Sequence, residues 1–437
     1  MLRRIDDDHF RKRGERVLLI AYGCEPGRGS EAGIGWNHLV ETARVRPCHV
    51  ITHPRHREAL DAGIADWNRS GTGAPMSASY IDTGGAMRLF ERAGYFGFNY
   101  HYFRWTNAAM REAERLHAQQ PFSLAQHASL TRWWMPTPAY ALAKQGVPMI
   151  WGPSGAGECM PWSMRKGIGL KGHATEWSRA AARRFFSLDP RLKRCARATT
   201  LGLVEPRETD KRFRKLGVRD VQQAATLPAD LDEMRDVTPM PKSTGTFRIV
   251  SGGGLVYWKG FDLSLRAFAR AFQDVPHAQY VHASAGQWLG KMKQIAREEG
   301  IEDKVHLPGN TGHAKALRWV ASADLYVLPT LRDTTGHIFE SFAAGVPVLT
   351  LNRLSPGVYV DDTCGHRVSL RAGRETLIDE LAATMRQWYD DPQLLARLSE
   401  GASQRAIELS RGNFGARLRQ YQSQAIATRP AAVLQRF

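Results

Sequence analysis

Short apolar runs alternate with stretches of helical period along most of the chain. In the first half, the runs 17–22 (VLLIAY), 48–53 (CHVITH), 122–128 (FSLAQHA), 148–152 (PMIWG) and 198–203 (ATTLGL) predict buried strands. Helical segments such as 36–46 and 106–119 lie between them. This alternation predicts a parallel, doubly wound sheet whose faces are covered by the crossover helices. Residues 228–246 (PADLDEMRDVTPMPKSTGT) lose the period and concentrate Pro, Asp, Thr and Ser, as a linker does.

A second series starts directly after it, with 247–253 (FRIVSGG), 278–284 (AQYVHAS), 304–309 (KVHLPG), 324–330 (DLYVLPT) and 347–352 (PVLTLN) separated by helical stretches. Phe261, Leu265, Phe268 and Phe272 stand at i, i+4, i+7 and i+11, one apolar helix face. From about residue 372 the tail is helical, and its last helix, ending near Ala425, has no strand after it. The expected organisation is a Rossmann-like domain over 1–227, a linker over 228–246 and a second Rossmann-like domain over 247–410. A C-terminal helix in 411–437 is expected to pack back toward the first domain.

Composition narrows the class. At 437 residues and 43% apolar content, the chain has material for two or three cores. No window approaches the ~18 apolar residues of a membrane span. The acids in the N-terminal stretch, with only a short apolar run behind it, make 17–22 an expected first strand rather than a leader, on the cytoplasmic side. The five cysteines, Cys24, Cys48, Cys159, Cys195 and Cys364, are far apart and form no C-x-x-C pair, which argues against a disulfide framework or a zinc ribbon. The net charge is +17, and residues 160–200 carry ten Lys/Arg against Glu176 and Asp189. Trp162, Trp177, Phe185 and Phe186 interleave with those cations, so an anionic membrane surface is the expected partner of that stretch rather than nucleic acid.

Ligands of open α/β sheets bind beyond the carboxyl ends of strands, where loops enter helices. Four loops there are unusual. Residues 23–36 hold Gly27, Gly29, Gly33 and Gly35, which let backbone approach a ligand and leave helix N–H groups for an oxyanion. A dinucleotide-dependent oxidoreductase would need an acid after the next strand, which instead runs Thr52-His53-Pro54-Arg55. His127 ends a strand and is followed by Arg132-Trp133-Trp134; it is either a packing residue or a partner for sugar hydroxyls. Residues 151–158 form a glycine turn with Gly155, Gly157 and Glu158, an acid that either meets an acceptor or caps the next segment. In the second half, Gly252-Gly253-Gly254 leads to Lys259, and Gly336-His337-Ile338 leads to Glu340 one turn later. A cation with helix N–H groups gathers phosphate, and a carboxylate gathers ribose hydroxyls.

With these residues in place, the chain resembles the retaining GT-B glycosyltransferases of family 4, from about Val17 to Ala425. The resemblance is strongest over 25–36, 151–158, 257–261 and 322–347. It implies two Rossmann-like doubly wound parallel-sheet domains facing a cleft, the first for the acceptor and the second for a nucleotide diphosphate sugar. It implies a hexosyl transfer to a saccharide or lipid-linked acceptor in surface polysaccharide or lipopolysaccharide synthesis, at the inner face of the membrane. Neither metal nor other cofactor is expected. A nucleotide-sugar epimerase of the same fold is the alternative. The resemblance assigns Gly29, Gly33, Gly254, Lys259, Arg332, Gly336, His337, Ile338 and Glu340 to the donor. It gives His127, Asp333 and Glu340 to catalysis, and Gly155, Glu158 and Arg132 to the acceptor. Two positions depart from the family pattern. Gly254 stands where an arginine is usual, and Arg332 stands where the first acid of E-x7-E is usual, with Asp333 one residue closer to Glu340.

Overall fold

The computed structural model describes residues 15–91, 93–155, 157–332, 337–370 and 373–428, and the chain divides into two compact units. The first comprises 1–157, 177–227 and 414–437; the second comprises 158–176 and 228–413.

Among the described residues the first unit holds a seven-stranded parallel sheet. Its strands are β1 (Val17–Ala21), β2 (Cys48–Thr52), β3 (Met76–Tyr80), β4 (Leu124–Ser129), β5 (Met149–Ser154), β6 (Leu201–Val204) and β7 (Val221–Gln223). They lie in the order β3-β2-β1-β4-β5-β6-β7. The strand β1 reads as an unbroken apolar run because both of its faces are covered. Leu18 and Ile20 enter one core with Tyr102, Trp105 and Trp134, while Val17, Leu19 and Ala21 enter another with Leu39 and Leu60. The last helix, Arg411–Ala427, sends Ala425 into the second of these cores. Its Gln422 donates to Thr42 and Gln126, and its Arg419 pairs with Glu41.

The second unit holds six parallel strands: β8 (Phe247–Ser251), β9 (Ala278–His282), β10 (Val305–His306), β11 (Leu325–Leu328), β12 (Val348–Leu351) and β13 (Gly365–Val368). Their order is β10-β9-β8-β11-β12-β13. The helix Phe261–Phe272 buries all four residues of its expected stripe.

The strands β3, β7 and β13 are absent from the sequence expectation. Each lies at or beside a sheet edge, is short, and carries polar residues such as Ser77, Ser79, Gln222 and His366, so no apolar run marks it. The expected linker is also corrected. Residues 228–246 join the second unit and contain the helix Leu231–Arg235, capped by Asp230 and anchored by buried Met234. The buried Arg248 side chain donates to the Met240 and Pro241 carbonyls, which fastens the remainder to β8.

Candidate functional site

Each sheet reverses its winding once, between β1 and β4 in the first unit and between β8 and β11 in the second. Such a reversal opens a crevice at the carboxyl ends of the two strands. Several of the described residues singled out from the sequence follow these strands: Gly29 and Gly33 lie after β1, His127 and Arg132 at and after the end of β4, and Gly254 and Lys259 after β8.

In the second unit the loop after β8 folds over itself. Gly253 has φ +91°, and a Cβ built on it would lie 2.7 Å from Lys259 Nζ and 3.0 Å from His337 Nε2. The lysine of one loop and the histidine of the other therefore converge over a bare backbone, which only glycine permits. His282, at the end of β9, holds this loop through Nε2, 2.9 Å from the Gly253 carbonyl, and its Nδ1 lies 2.8 Å from Ser251 Oγ. Burial drives the His282 pKa down to about 3, and the nearby charges of Lys259 and His337 press the same way. His337 Nδ1 lies 3.2 Å from Glu340 Oε2. Burial pushes the Glu340 carboxyl up, but the His337 hydrogen bond and the charges of His337 and His313 hold it below its usual value. A cation, an imidazole and an ionised carboxylate thus share one crevice. Ile338 is buried beneath them, and Gly254 is exposed with room for a side chain. Asp333 and Gly336 lie outside the described residues.

Arg332 does not stand free in that crevice. It is buried, its Nη1 bonds Glu176 Oε1 and donates to Tyr257 Oη at 3.2 Å, and its guanidinium lies 3.8 Å from the Trp258 ring centre. Glu176 is fully buried and also accepts from Tyr257 Oη at 3.0 Å and from the Met160 N–H at 3.1 Å. Burial raises its pKa, but the Arg332 charge and these hydrogen bonds outweigh that and leave it lowered. The segment 158–176 is thereby sewn to Tyr257 and Arg332, and Arg353 adds a bond to the Cys159 carbonyl. Glu158 is buried within this segment.

In the first unit, Ser129 Oγ bridges the N–H and carbonyl of Gly23 and ties the loop after β1 to the end of β4. The glycines of that loop serve its own packing: a Cβ on Gly33 would lie 2.1 Å from the Arg28 carbonyl, whereas Gly29 faces open space. His127 is buried, with Nδ1 3.1 Å from Thr137 Oγ1 and Nε2 3.1 Å from Tyr102 Oη. Both ring nitrogens are engaged, so neither is left to meet a ligand directly. Burial drives its pKa down to about 3, and the charge of Arg132 adds to the effect. Arg132 stands over three aromatic rings, those of Phe98, Tyr102 and Trp134. Gly155 is half-buried at the end of β5. His53, Glu91 and His101 bring possible ligand atoms within 4.8 Å of one another. The Arg55 guanidinium binds Glu91 and His53 Nδ1 there, so a fixed positive charge already serves this carboxylate.

These two buried histidines set a pH dependence. Each folded-state pKa lies below the unfolded value, so between about pH 6.5 and 3 the unfolded chain binds protons that the folded chain does not, and stability rises with pH. Acidification from pH 6.5 to 5 is expected to cost up to about 1.4 kcal/mol per pH unit for each histidine. Melting temperature against pH checks it: His127→Gln with His282→Gln should lessen the slope in that window, where His38, His49 and His53, also held low by burial, supply the rest, and an unchanged slope would refute the assignment.

Comparison with known proteins follows the same division. Residues 235–405 match the family described as Glycosyl transferases group 1. A D-inositol 3-phosphate glycosyltransferase from Thermobispora bispora is 28% identical over 184 residues, 38% of this chain and 41% of that protein. The lipopolysaccharide core biosynthesis glycosyltransferase LpsD of Rhizobium meliloti is 27% identical over 168 residues, 36% of this chain and 43% of that protein. The chain thus spans about two fifths of the length of these curated relatives. The solved lipopolysaccharide outer core galactosyltransferase WaaB superposes over 94% of this chain and 99% of its own, with TM-score 0.62 and 11% identity. That likeness establishes the fold, two Rossmann-like parallel-sheet units of the GT-B kind.

Proposed function

We propose that this chain is a retaining glycosyltransferase of family 4, moving a hexose from a nucleotide diphosphate sugar to a saccharide or lipid-linked acceptor of lipopolysaccharide or surface polysaccharide. The observation that carries the reading is the convergence of Lys259 and His337 over Gly253, with Glu340 beside them, at the crevice of the unit that matches the family. Lys259 supplies positive charge where the leaving diphosphate develops negative charge, the kind of preorganised stabilisation that contributes most to such transfers. Glu340, ionised, accepts hydrogen bonds from ribose hydroxyls, and Asp333 is assigned the transferred sugar's hydroxyls. In the retaining route the C1–O bond to diphosphate breaks as the acceptor oxygen bonds C1 on the same face. The acceptor proton passes to the departing phosphate oxygen, so no protein nucleophile is required.

The direct test is release of nucleoside diphosphate from a panel of nucleotide sugars, with and without lipid-linked and soluble saccharide acceptors, and NMR of the product's anomeric configuration. Acceptor-dependent release with retained configuration is expected. Release from none of the panel would overturn the reading, and interconversion of the donor without transfer would favour the epimerase.

The reading includes work at a membrane surface. Among the described residues no helix is long and apolar enough to cross a membrane. In the first unit, however, Trp177, Phe185 and Leu188 are 65%, 57% and 62% exposed, and Arg184, Lys193, Arg194 and Arg197 are exposed on the same stretch. Arg183 is a separate case, since it bonds the Gly157 carbonyl. Each cation near an anionic surface contributes about 1 kcal/mol, fading over a Debye length of about 8 Å. Sedimentation with anionic vesicles at low salt is expected to bring the protein down, and high salt or reversal of Arg184, Lys193 and Arg194 to Glu should release it. Equal partitioning into neutral vesicles would remove the electrostatic part of this proposal.

A further inference from the structure

Arg132 is the most anomalous charged group of the first unit. Its side chain belongs to a residue only 7% exposed, and its Nε is buried without a hydrogen-bond partner. Among the described residues the guanidinium makes neither an ion pair nor a hydrogen bond. Its neighbours are aromatic faces, with ring centres 5.7 Å (Phe98), 5.2 Å (Tyr102) and 5.2 Å (Trp134) from Cζ. Such faces tolerate a cation but satisfy none of its five N–H donors. Other buried arginines of this chain are paired or bonded: Arg332 to Glu176, Arg248 to Ser322 and Gln279, and Arg46 to Glu15 and Ser423. An N–H buried without a partner is costly, and a ligand that accepts from the guanidinium would offset that cost.

Its place in the fold points the same way. Arg132 follows β4 at the β1/β4 reversal, where ligands of doubly wound sheets bind. The chain enters the loop through Leu130, a non-glycine residue at φ +55°, a conformation that costs free energy and marks functional loops. The Leu130 N–H donates to Glu31 Oε2 at 2.6 Å, which ties the entry of this loop to the helix after β1. The neighbouring imidazole, His127, has both ring nitrogens engaged by Thr137 and Tyr102 and so offers the guanidinium no acceptor.

The geometry points to Arg132 as the anion-recognition residue of the first unit's crevice: the acceptor bound there carries a phosphate or carboxylate group. Its designation as an acceptor rests on the glycosyltransferase reading; the anion preference itself does not. A neutral sugar would leave the guanidinium as it is now, whereas an oxyanion meets the planar donor fork in two parallel hydrogen bonds.

The test is calorimetry on the full chain carrying Lys259→Ala, which removes the cation of the other crevice, with D-glucose 6-phosphate, D-glucuronate and D-glucose as probes. At least a ten-fold preference for an anionic sugar over glucose is expected, and whichever of phosphate or carboxylate binds tighter names the group. Arg132→Met should abolish that preference, and Arg132→Lys should keep part of it. Because the guanidinium makes no ion pair or hydrogen bond with a described residue and Met can fill the space among the three rings, the Met variant should melt at an unchanged or higher temperature. Equal affinity for all three sugars, binding of none, or a preference that survives in Arg132→Met would each overturn the inference. If Arg132→Met does not fold, the parent's own discrimination and the Lys variant decide. Nucleotide-sugar turnover by the unmodified chain is scored in parallel. Anion preference without turnover would sink only the transferase reading, and turnover without anion preference only this inference.

Discussion

Gly253→Ala is expected to lower nucleoside diphosphate affinity and turnover by about 100-fold, worth ~2.7 kcal/mol, while leaving the protein folded. The methyl group would stand 2.7 Å from Lys259 Nζ and 3.0 Å from His337 Nε2, so the two side chains of the crevice must both move. The residue also sits at φ +91°, where an L side chain costs about 1–3 kcal/mol, within what a folded unit sustains. Lys259→Ala and Glu340→Gln should each lose at least about ten-fold in turnover, removing one charge-bearing partner without the steric disturbance. The adjacent Gly254 is the internal control, because a Cβ there meets nothing closer than 4.0 Å. Gly254→Arg, the residue usual at this position in the resembled family, should be tolerated and should tighten diphosphate binding. Titration with UDP, ADP and GDP, read beside circular dichroism, decides the matter. Gly253→Ala with wild-type affinity would show that the crevice over this loop is not the diphosphate site.

Glu176→Ala should produce the largest stability loss in the second unit, about 3–5 kcal/mol, because it leaves Arg332 buried without its counter-charge. The same change strips hydrogen bonds from Tyr257 Oη and the Met160 N–H, so the strap 158–176 should detach from the loops that carry Lys259 and the acid motif. Glu176→Gln should cost less, since its one carbonyl oxygen still accepts on one of the two sides, Tyr257 Oη at Oε1 or the Met160 N–H at Oε2. Combining Glu176→Ala with Arg332→Met should recover much of the loss, because no buried charge is then left without its partner. Denaturant unfolding of the full chain, with proteolysis of residues 158–176 as a local readout, measures both effects. A Glu176→Ala midpoint indistinguishable from wild type would mean that the ion pair is incidental. The expected activity pattern also separates two roles for Arg332. If Arg332→Met alone weakens nucleoside diphosphate binding while the strap stays protected, the arginine serves the donor as well as Glu176.

Much of this molecule was legible without coordinates, and the reason is local. A strand covered on both faces is mostly apolar, so β1, β4, β5, β8, β11 and β12 announced themselves as short runs, and a helix with one buried face spaced Phe261, Leu265, Phe268 and Phe272 accordingly. Lys259 and Glu340 were readable because a glycine loop entering a helix is a contiguous pattern. Edge strands such as β3 and β13 were not, because an edge is asked to bury less and Ser77, Ser79 and His366 serve there as well as apolar residues.

What only the tertiary structure decided are pairings between distant residues and the lack of them. Glu176 and Arg332 are 156 positions apart, and no spacing rule relates them, so the sequence offered one as a minor acid in a basic stretch and the other as a spare donor cation. Their burial together shows that each answers the other's charge. It also assigns the strap 158–176 to the second unit although it interrupts the first in the chain. His127 and Arg132 show the converse. Both were visible as polar residues near a strand end, but only packing revealed that the histidine is neutral and engaged at both nitrogens while the arginine is buried and unanswered. Periodicity records which side of an element faces the core, a property of neighbours in sequence. Compensation of a buried charge depends on what the rest of the chain brings within a few ångströms, and that is settled only when the chain has folded.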